Sequence, residues 1–413
     1  MRPIQALAVL ALAIFSLAGC TTPAPGPASR PAQPACPDCS PCLACPDCPS
    51  PVATPSAAQQ PFARTLRPAE WRELPGWNED DIASAWPAFL LSCRGMAGRP
   101  WGADWKRVCD KARDAAAQPG FDARAFFQEN LSPYAIIAAD GDVNGTITGY
   151  YEPLLRGSRQ RTREFGQPVL GVPDDLLNID LSVLFPELKD KRVRGRLDGK
   201  RVVPYWTRAE INDRGETLPA STLLYVDDPV ELFFLQVQGS GRVRLGDGST
   251  VRLNYADQNG HPYQSIGRLL VARGELKLED ASMQGIQSWA RANPARLDEL
   301  LNANPSYVFF REMPDGDDGP LGALGVPLTA ERAIAVDPRS VPLGAPVFLS
   351  TTQPNSSQPL NRLVMAQDTG GAIKGAVRAD FFWGFGKTAG GLAGRMKQSG
   401  RMWLLLPNEA TPR

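Results

Sequence analysis

The sequence predicts a mainly β protein with a smaller helical share, and three observations predict it. Residues 135–155 are rich in β-branched and aromatic side chains, the composition of strands. Residues 154–303 hold many short apolar runs punctuated by Asp198-Gly199, Asp247-Gly248 and Asn259-Gly260, dipeptides that suit tight turns between antiparallel strands. Helical patterns are confined to a few places. Three short ones, 80–92, 104–117 and 122–131, carry Asp at or near their starts, and a fourth, 283–302, is broken by Pro294.

Taken in order, the chain begins with an export signal over residues 1–20. Arg2 supplies the charge, and the apolar run 7–17 is too short to span a bilayer. Leu17-Ala18-Gly19-Cys20 resembles a bacterial lipobox, which makes Cys20 the lipidated residue. Thr21 stands where the lipoprotein sorting rule places Asp for inner-membrane retention, so the resemblance implies a lipid-anchored protein on the outer membrane, facing the periplasm. Residues 21–61 carry 12 of the 39 prolines and read as a stiff, extended linker. Within it, Cys36, Cys39, Cys42, Cys45 and Cys48 recur at every third position. A thiolate metal or cluster site is one reading. Oxidised or cross-linked thiols in an exported tract is the other, and it is favoured because no core surrounds them. Cys93 directly follows the first helical pattern and Cys109 lies in the second, where a disulfide between the two suits an exported protein.

Composition removes some functions. Forty-four basic side chains balance 44 acidic ones, and this argues against a nucleic-acid binder, which needs a basic field. His261 is the only histidine and follows Asn-Gly in a turn, so it reads as a loop residue rather than as part of a catalytic triad or a metal site.

Three stretches carry candidate chemistry. Thr148-Gly-Tyr150-Tyr151 offers a hydroxyl and aromatic rings for a sugar face. Gln236-Val-Gln238-Gly-Ser240-Gly reads as a strand whose alternation projects both glutamines and Ser240 to one face, a polar ladder for carbohydrate hydroxyls and acetamido groups; Arg252 and Asn254 would extend that wall. The third stretch runs from Asp368 to Gly386, with Asp368 and Asp380 twelve residues apart. Asp368 precedes Thr-Gly-Gly, a turn setting in which backbone N–H groups hold a carboxylate as an anion. Asp380 leads into Phe381, Phe382 and Trp383, and apolar neighbours raise a carboxyl pKa toward the range of a general acid. Asp337 precedes Pro338 and reads as a structural turn aspartate.

Asp337-Pro-Arg-Ser-Val-Pro-Leu-Gly344, Asp368 and Asp380 together resemble the 3D domain, named for three aspartates. With Thr148–Pro153, Gln236–Gly241 and Asn304–Phe310 in the same order, the chain resembles the lytic murein transglycosylase A family from about residue 61 to its end. The resemblance implies a double-psi β-barrel assembled from residues 62–153 and 304–413. A second β-rich domain, 154–303, is inserted, and a groove between them holds glycan. It implies cleavage of the β-1,4 bond between N-acetylmuramic acid and N-acetylglucosamine with 1,6-anhydro ends. Asp380 is then the acid and base, Asp368 assists, and Thr148, Tyr150, Gln236, Gln238, Ser240 and Trp383 contact substrate. No metal or cofactor is implied. Peptidoglycan strands are the partner, the soluble part is expected to be a monomer, and complexes with other cell-wall enzymes fit the same picture. Two other readings stay open: a two-carboxylate glycoside hydrolase and a non-catalytic wall-binding lipoprotein.

Overall fold

Six strands close into a barrel: β1 (Gly145–Glu152), β2 (Ala333–Val336), β3 (Pro346–Thr352), β4 (Pro359–Asp368), β5 (Arg378–Phe385) and β6 (Lys397–Pro407). Around the ring the order is β6-β3-β4-β2-β5-β1, and β1 pairs back onto β6. The β2–β4 and β1–β5 pairs are parallel and the rest antiparallel. Closure removes the exposed edges an open sheet would present, and the result is the double-psi barrel the sequence implies. This computed structural model describes residues 65–410 except 116, 117, 119, 189–192, 315 and 317. The export signal, Cys20 and the 21–61 linker with its cysteines lie outside the described residues. Among the described residues, no helix is long and apolar enough to cross a membrane.

The period of two along each strand sorts side chains into two apolar clusters. Ile334 and Val336 of β2, with Ala379, Phe381 and Trp383 of β5, join the main core. Ala333 and Ala335, with Tyr150 and Phe382, join a smaller cluster on the opposite face, together with Leu328 and Ile373. The candidate site stands on that second face. Trp383 is therefore a core residue. It is buried, lies edge-on to Phe381, and donates its indole N–H to Met396 Sδ at 3.2 Å. Its assignment to substrate contact is corrected by this alternation. Gly149 explains how the ring fits, because a Cβ there would sit 2.6 Å from Trp383 Nε1.

The N-terminal helices pack on the barrel. A helix over Trp86–Met96 follows a 3-10 turn, Ile82–Ala85, and a second, Lys106–Ala115, follows Pro100–Trp105. Cys93 and Cys109 form a disulfide between these two helices. The Asp122 side chain caps the helix Ala123–Asn130 by accepting from the N–H groups of Arg124 and Ala125. Asp80 fastens this segment to the barrel through a buried two-point pair with Arg332 at 2.8 and 2.9 Å, and it also accepts the Leu363 N–H.

Between β1 and β2 the chain builds a separate sheet of six strands in the order Val308–Met313, Thr250–Gln258, Ser240–Arg244, Leu154–Ser158, Thr222–Val226, Gln167–Leu170. A three-stranded sheet over Leu177–Asn178, Arg194–Asp198 and Arg201–Pro204 accompanies it. Asp198-Gly199 and Asp247-Gly248 make hairpin turns in this region, with both glycines at positive φ. The helices Met283–Ala292 and Leu297–Asn302 are separated at Pro294.

One strand expectation fails here. Gln236 and Gln238 belong to a helix, Pro229–Gln238, and the strand begins only at Ser240. Asp228 caps the helix, Pro229 takes its first position, and Gly239 ends it at φ 79°. Two residues apart on a helix point to different sides, so the glutamines do not form a ladder.

Candidate active site

The barrel register brings the two carboxylates to one level. Ala335 of β2 is the partner of Asp368 on one side and of Asp380 on the other. Asp380 is in turn level with Thr148 of β1. Two inter-strand spacings separate the aspartate backbones, roughly 10 Å. Both side chains are half-buried above the cluster of Tyr150, Ala333, Ala335 and Phe382.

Asp380 accepts the Thr148 hydroxyl at Oδ1, 2.6 Å away. Arg378, on the same face two residues earlier, donates to Thr148 Oγ1 at 2.9 Å and to the Thr146 carbonyl at 3.2 Å. Among the described residues no hydrogen bond reaches Asp380 Oδ2. Burial pushes the Asp380 carboxyl above its ordinary value, while the Thr148 hydroxyl and the Arg378 charge pull the other way.

Asp368 is held on both oxygens. Oδ1 accepts the N–H groups of Ala323 at 2.9 Å and Thr369 at 2.8 Å, and Oδ2 accepts the Tyr150 hydroxyl at 3.1 Å. These bonds were expected to hold it as an anion. Burial outweighs them and pushes the carboxyl up to about 6, with the nearby Asp380 charge adding to the rise. The proposed contrast of one low and one raised carboxyl is corrected: both are raised. Sequence neighbours do not report burial created by distant strands. Tyr150 is itself buried, and burial with the two carboxylates keeps its hydroxyl protonated far above the usual range.

Asp337 behaves differently. Burial raises its carboxyl, but the Arg339 guanidinium and the N–H groups of Gly375 and Arg339 more than offset this and hold it at about 2. It accepts from Arg339 at 3.0 and 2.6 Å and from Gly375 at 2.9 Å. It ties the start of its loop to the segment before β5.

The segment leading from Met313 to β2 is clamped from three sides. Arg252 donates to the Asp318 carbonyl at 2.7 Å, and Asn254 accepts the Leu321 N–H at 2.9 Å. The Leu324 N–H reaches the Gln367 carbonyl at 2.9 Å, and Arg99 from the disulfide-linked helical segment holds the Leu324 carbonyl at 2.7 Å. This fixes Ala323, whose N–H touches Asp368. Arg252 and Asn254 are buried in this role and do not line a wall. Where β1 runs into the inserted sheet, buried Glu152 pairs with Arg242 at 2.9 Å.

The remaining candidates separate. Gln236 is buried and accepts from the buried Arg208 guanidinium, so it stabilises the inserted unit and is withdrawn from the groove wall. Gln238 is half-buried and accepts the Tyr151 N–H at 3.1 Å, next to Tyr150. Ser240 is buried at the start of its strand. His261 lies in a loop against the Tyr205 carbonyl. Arg378 was missed, although a charge two residues before Asp380 on a strand must share its face.

Residues 146–311 match the MltA specific insert domain and residues 332–406 match the 3D domain. A membrane-bound lytic murein transglycosylase A of Escherichia coli K12 is 34% identical over 293 residues, covering 69% of this chain and 72% of that protein. A crystal structure of MltA from Neisseria gonorrhoeae superposes with a TM-score of 0.73 at 43% identity, covering 84% of this chain and 94% of that one. A structure of E. coli MltA with bound chitohexaose has a TM-score of 0.61 at 29% identity, covering 79% of this chain and 90% of that one.

Proposed function

Since the chain belongs to the membrane-bound lytic murein transglycosylase A family, and is a peptidoglycan lytic transglycosylase, we propose that it cuts the β-1,4 bond between N-acetylmuramic acid and N-acetylglucosamine with Asp380 as sole acid and base. One observation carries this assignment. Both Asp368 oxygens accept hydrogen bonds, whereas among the described residues none reaches Asp380 Oδ2. Asp380 in its protonated form donates to the glycosidic oxygen, and the bond to C1 breaks. The carboxylate left behind takes the proton of the sugar's own 6-hydroxyl as that oxygen bonds to C1. The acid is restored, and the product ends in 1,6-anhydro-N-acetylmuramic acid. The nucleophile is intramolecular, so no second carboxylate need position water. Asp368 and Tyr150 orient groups beside the acid. The chitohexaose bound to the E. coli relative supports a sugar chain as ligand.

Cys20 carries the lipid, and the anchor holds the enzyme on the periplasmic face of the outer membrane. The membrane-bound character in the relatives' name supports this reading. Digestion of purified peptidoglycan tests the reaction. Mass spectrometry should find ends one water lighter than reducing ends. Reducing ends would point to a two-carboxylate hydrolase, and no product would point to a binding protein.

A further inference from the structure

Arg378 departs from a simple supporting role because of what it touches. Its guanidinium donates to Thr148 Oγ1 at 2.9 Å, and Thr148 lies 2.6 Å from Asp380 Oδ1. The three groups form a line on one face of adjacent parallel strands. A guanidinium can only donate, so it occupies a lone pair of the hydroxyl. A hydroxyl polarised by a cation is a stronger donor and a poorer acceptor. The Thr148 hydrogen is thereby aimed at Asp380 Oδ1.

We infer that Arg378 is a positioning residue that sets the direction of the Thr148 hydroxyl and so places the transferable proton of Asp380 on Oδ2, the oxygen to which no described residue donates. This rests on Asp380 being the acid. With Oδ1 accepting from Thr148, a proton on Oδ1 would oppose that hydrogen bond. A proton on Oδ2 opposes nothing and meets the substrate. When the proton has left, the same line of donors spreads the new negative charge toward Arg378, and the carboxylate is ready to act as base.

The charged surroundings are few. Arg378 lies on the acid's own strand, Tyr150 stands on β1 and Asp368 on β4; β2 presents Ala335, and Lys397 of β6, the register partner of Thr148, is exposed. Arg378 is the cation that opposes burial at Asp380. Its own basicity is lowered by burial, as expected of a guanidinium committed to one site.

The test compares Arg378→Met, Arg378→Lys and Asp380→Asn in the full chain acting on purified peptidoglycan glycan strands, with kcat and KM followed from acid to alkaline pH. Arg378→Met should lower kcat by about tenfold or more with KM little changed. Its alkaline limb should move up by about half a pH unit, because Asp380 loses its opposing cation. Arg378→Lys, which keeps charge and donor, should recover most of both. An alkaline limb and turnover that stay at wild-type values in Arg378→Met would overturn the inference. So would equal losses in Met and Lys variants that track a fall in melting temperature. If Arg378→Met does not fold, Thr148→Val interrupts the same line and should give the same kcat loss and limb shift; an unmoved limb there counts against the inference equally. Should Asp380→Asn stay active, the acid assignment falls and this inference with it. An inactive Asp380→Asn beside an unaltered Arg378→Met would remove the Arg378 role alone.

Discussion

Tyr150 donates its hydroxyl to Asp368 Oδ2 at 3.1 Å, while Thr148, two residues earlier on the same strand, donates to Asp380. One strand therefore holds both carboxyls. Tyr150→Phe keeps the ring against Phe382, with centroids 5.1 Å apart, and removes only the hydroxyl. Asp368 should then titrate higher, because a hydrogen bond that lowers it is gone. Turnover should fall by about 1–2 kcal/mol of transition-state stabilisation with a small change in melting temperature. Carbon NMR of the carboxyl and steady-state rates check this. A lower Asp368 pKa, or a collapse in stability without a change in titration, would contradict it.

Gln236 and Gln238 should separate in experiment as they do in space. Gln236→Ala leaves the buried Arg208 guanidinium short of an acceptor and should cost about 2–3 kcal/mol of stability, leaving glycan affinity unchanged. Gln238→Ala should weaken glycan binding by about 1 kcal/mol without unfolding, because Gln238 is half-buried beside the Tyr150 strand. Paired thermal melts and glycan titrations decide. The reverse pattern would return Gln236 to the groove.

The same pair marks where the sequence was legible and where it was not. The barrel followed from ordered motifs, and the fold brings Thr148, Asp368 and Asp380 of those motifs together. Asp198-Gly199 and Asp247-Gly248 fell where strands reverse, whereas Asn259-Gly260 ends a strand that leads on to a helix. The helix under Gln236 was legible too, since Asp228-Pro229 opens it, Glu231 lies in its first turn and Gly239 closes it. Its last three residues, 236–238, read as part of a strand because the alternation over 236–241 runs on into the true strand that starts at Ser240. What no local reading could supply is burial. Asp368 is desolvated by strands and a loop that lie far from it along the chain, and its Ala323 partner is 45 residues away. Trp383 failed for a related reason, since which strand face meets the core depends on pairing rather than on composition.

The aspartates give opposite pH signatures. Asp337, held at about 2 against an ordinary value of 3.8, contributes stability that is full above about pH 4 and is lost as pH falls toward 2. Asp368, pushed up to about 6, favours the fold when protonated, and that contribution is lost as pH rises through 6. Asp337→Asn should therefore cost about 1–2 kcal/mol at pH 7, discounted for the exposed Arg339, and little at pH 2. Asp368→Asn should raise the melting temperature at pH 7–8 and leave it unchanged near pH 4. Thermal melts across pH check both. A destabilised Asp368→Asn at pH 8 would show that its ionised form is favoured by the fold.

Product analysis of two isosteric variants tests the central claim most directly. Purified peptidoglycan is digested by wild type, Asp380→Asn and Asp368→Asn, and anhydro ends are counted by mass spectrometry. Asp380→Asn should still bind glycan and release essentially no anhydro product, because the shape is kept and the titrating proton is gone. Asp368→Asn should retain measurable release, since its oxygens are spent on Ala323, Thr369 and Tyr150. Near-normal release by Asp380→Asn together with none from Asp368→Asn would contradict the account and reverse the two roles.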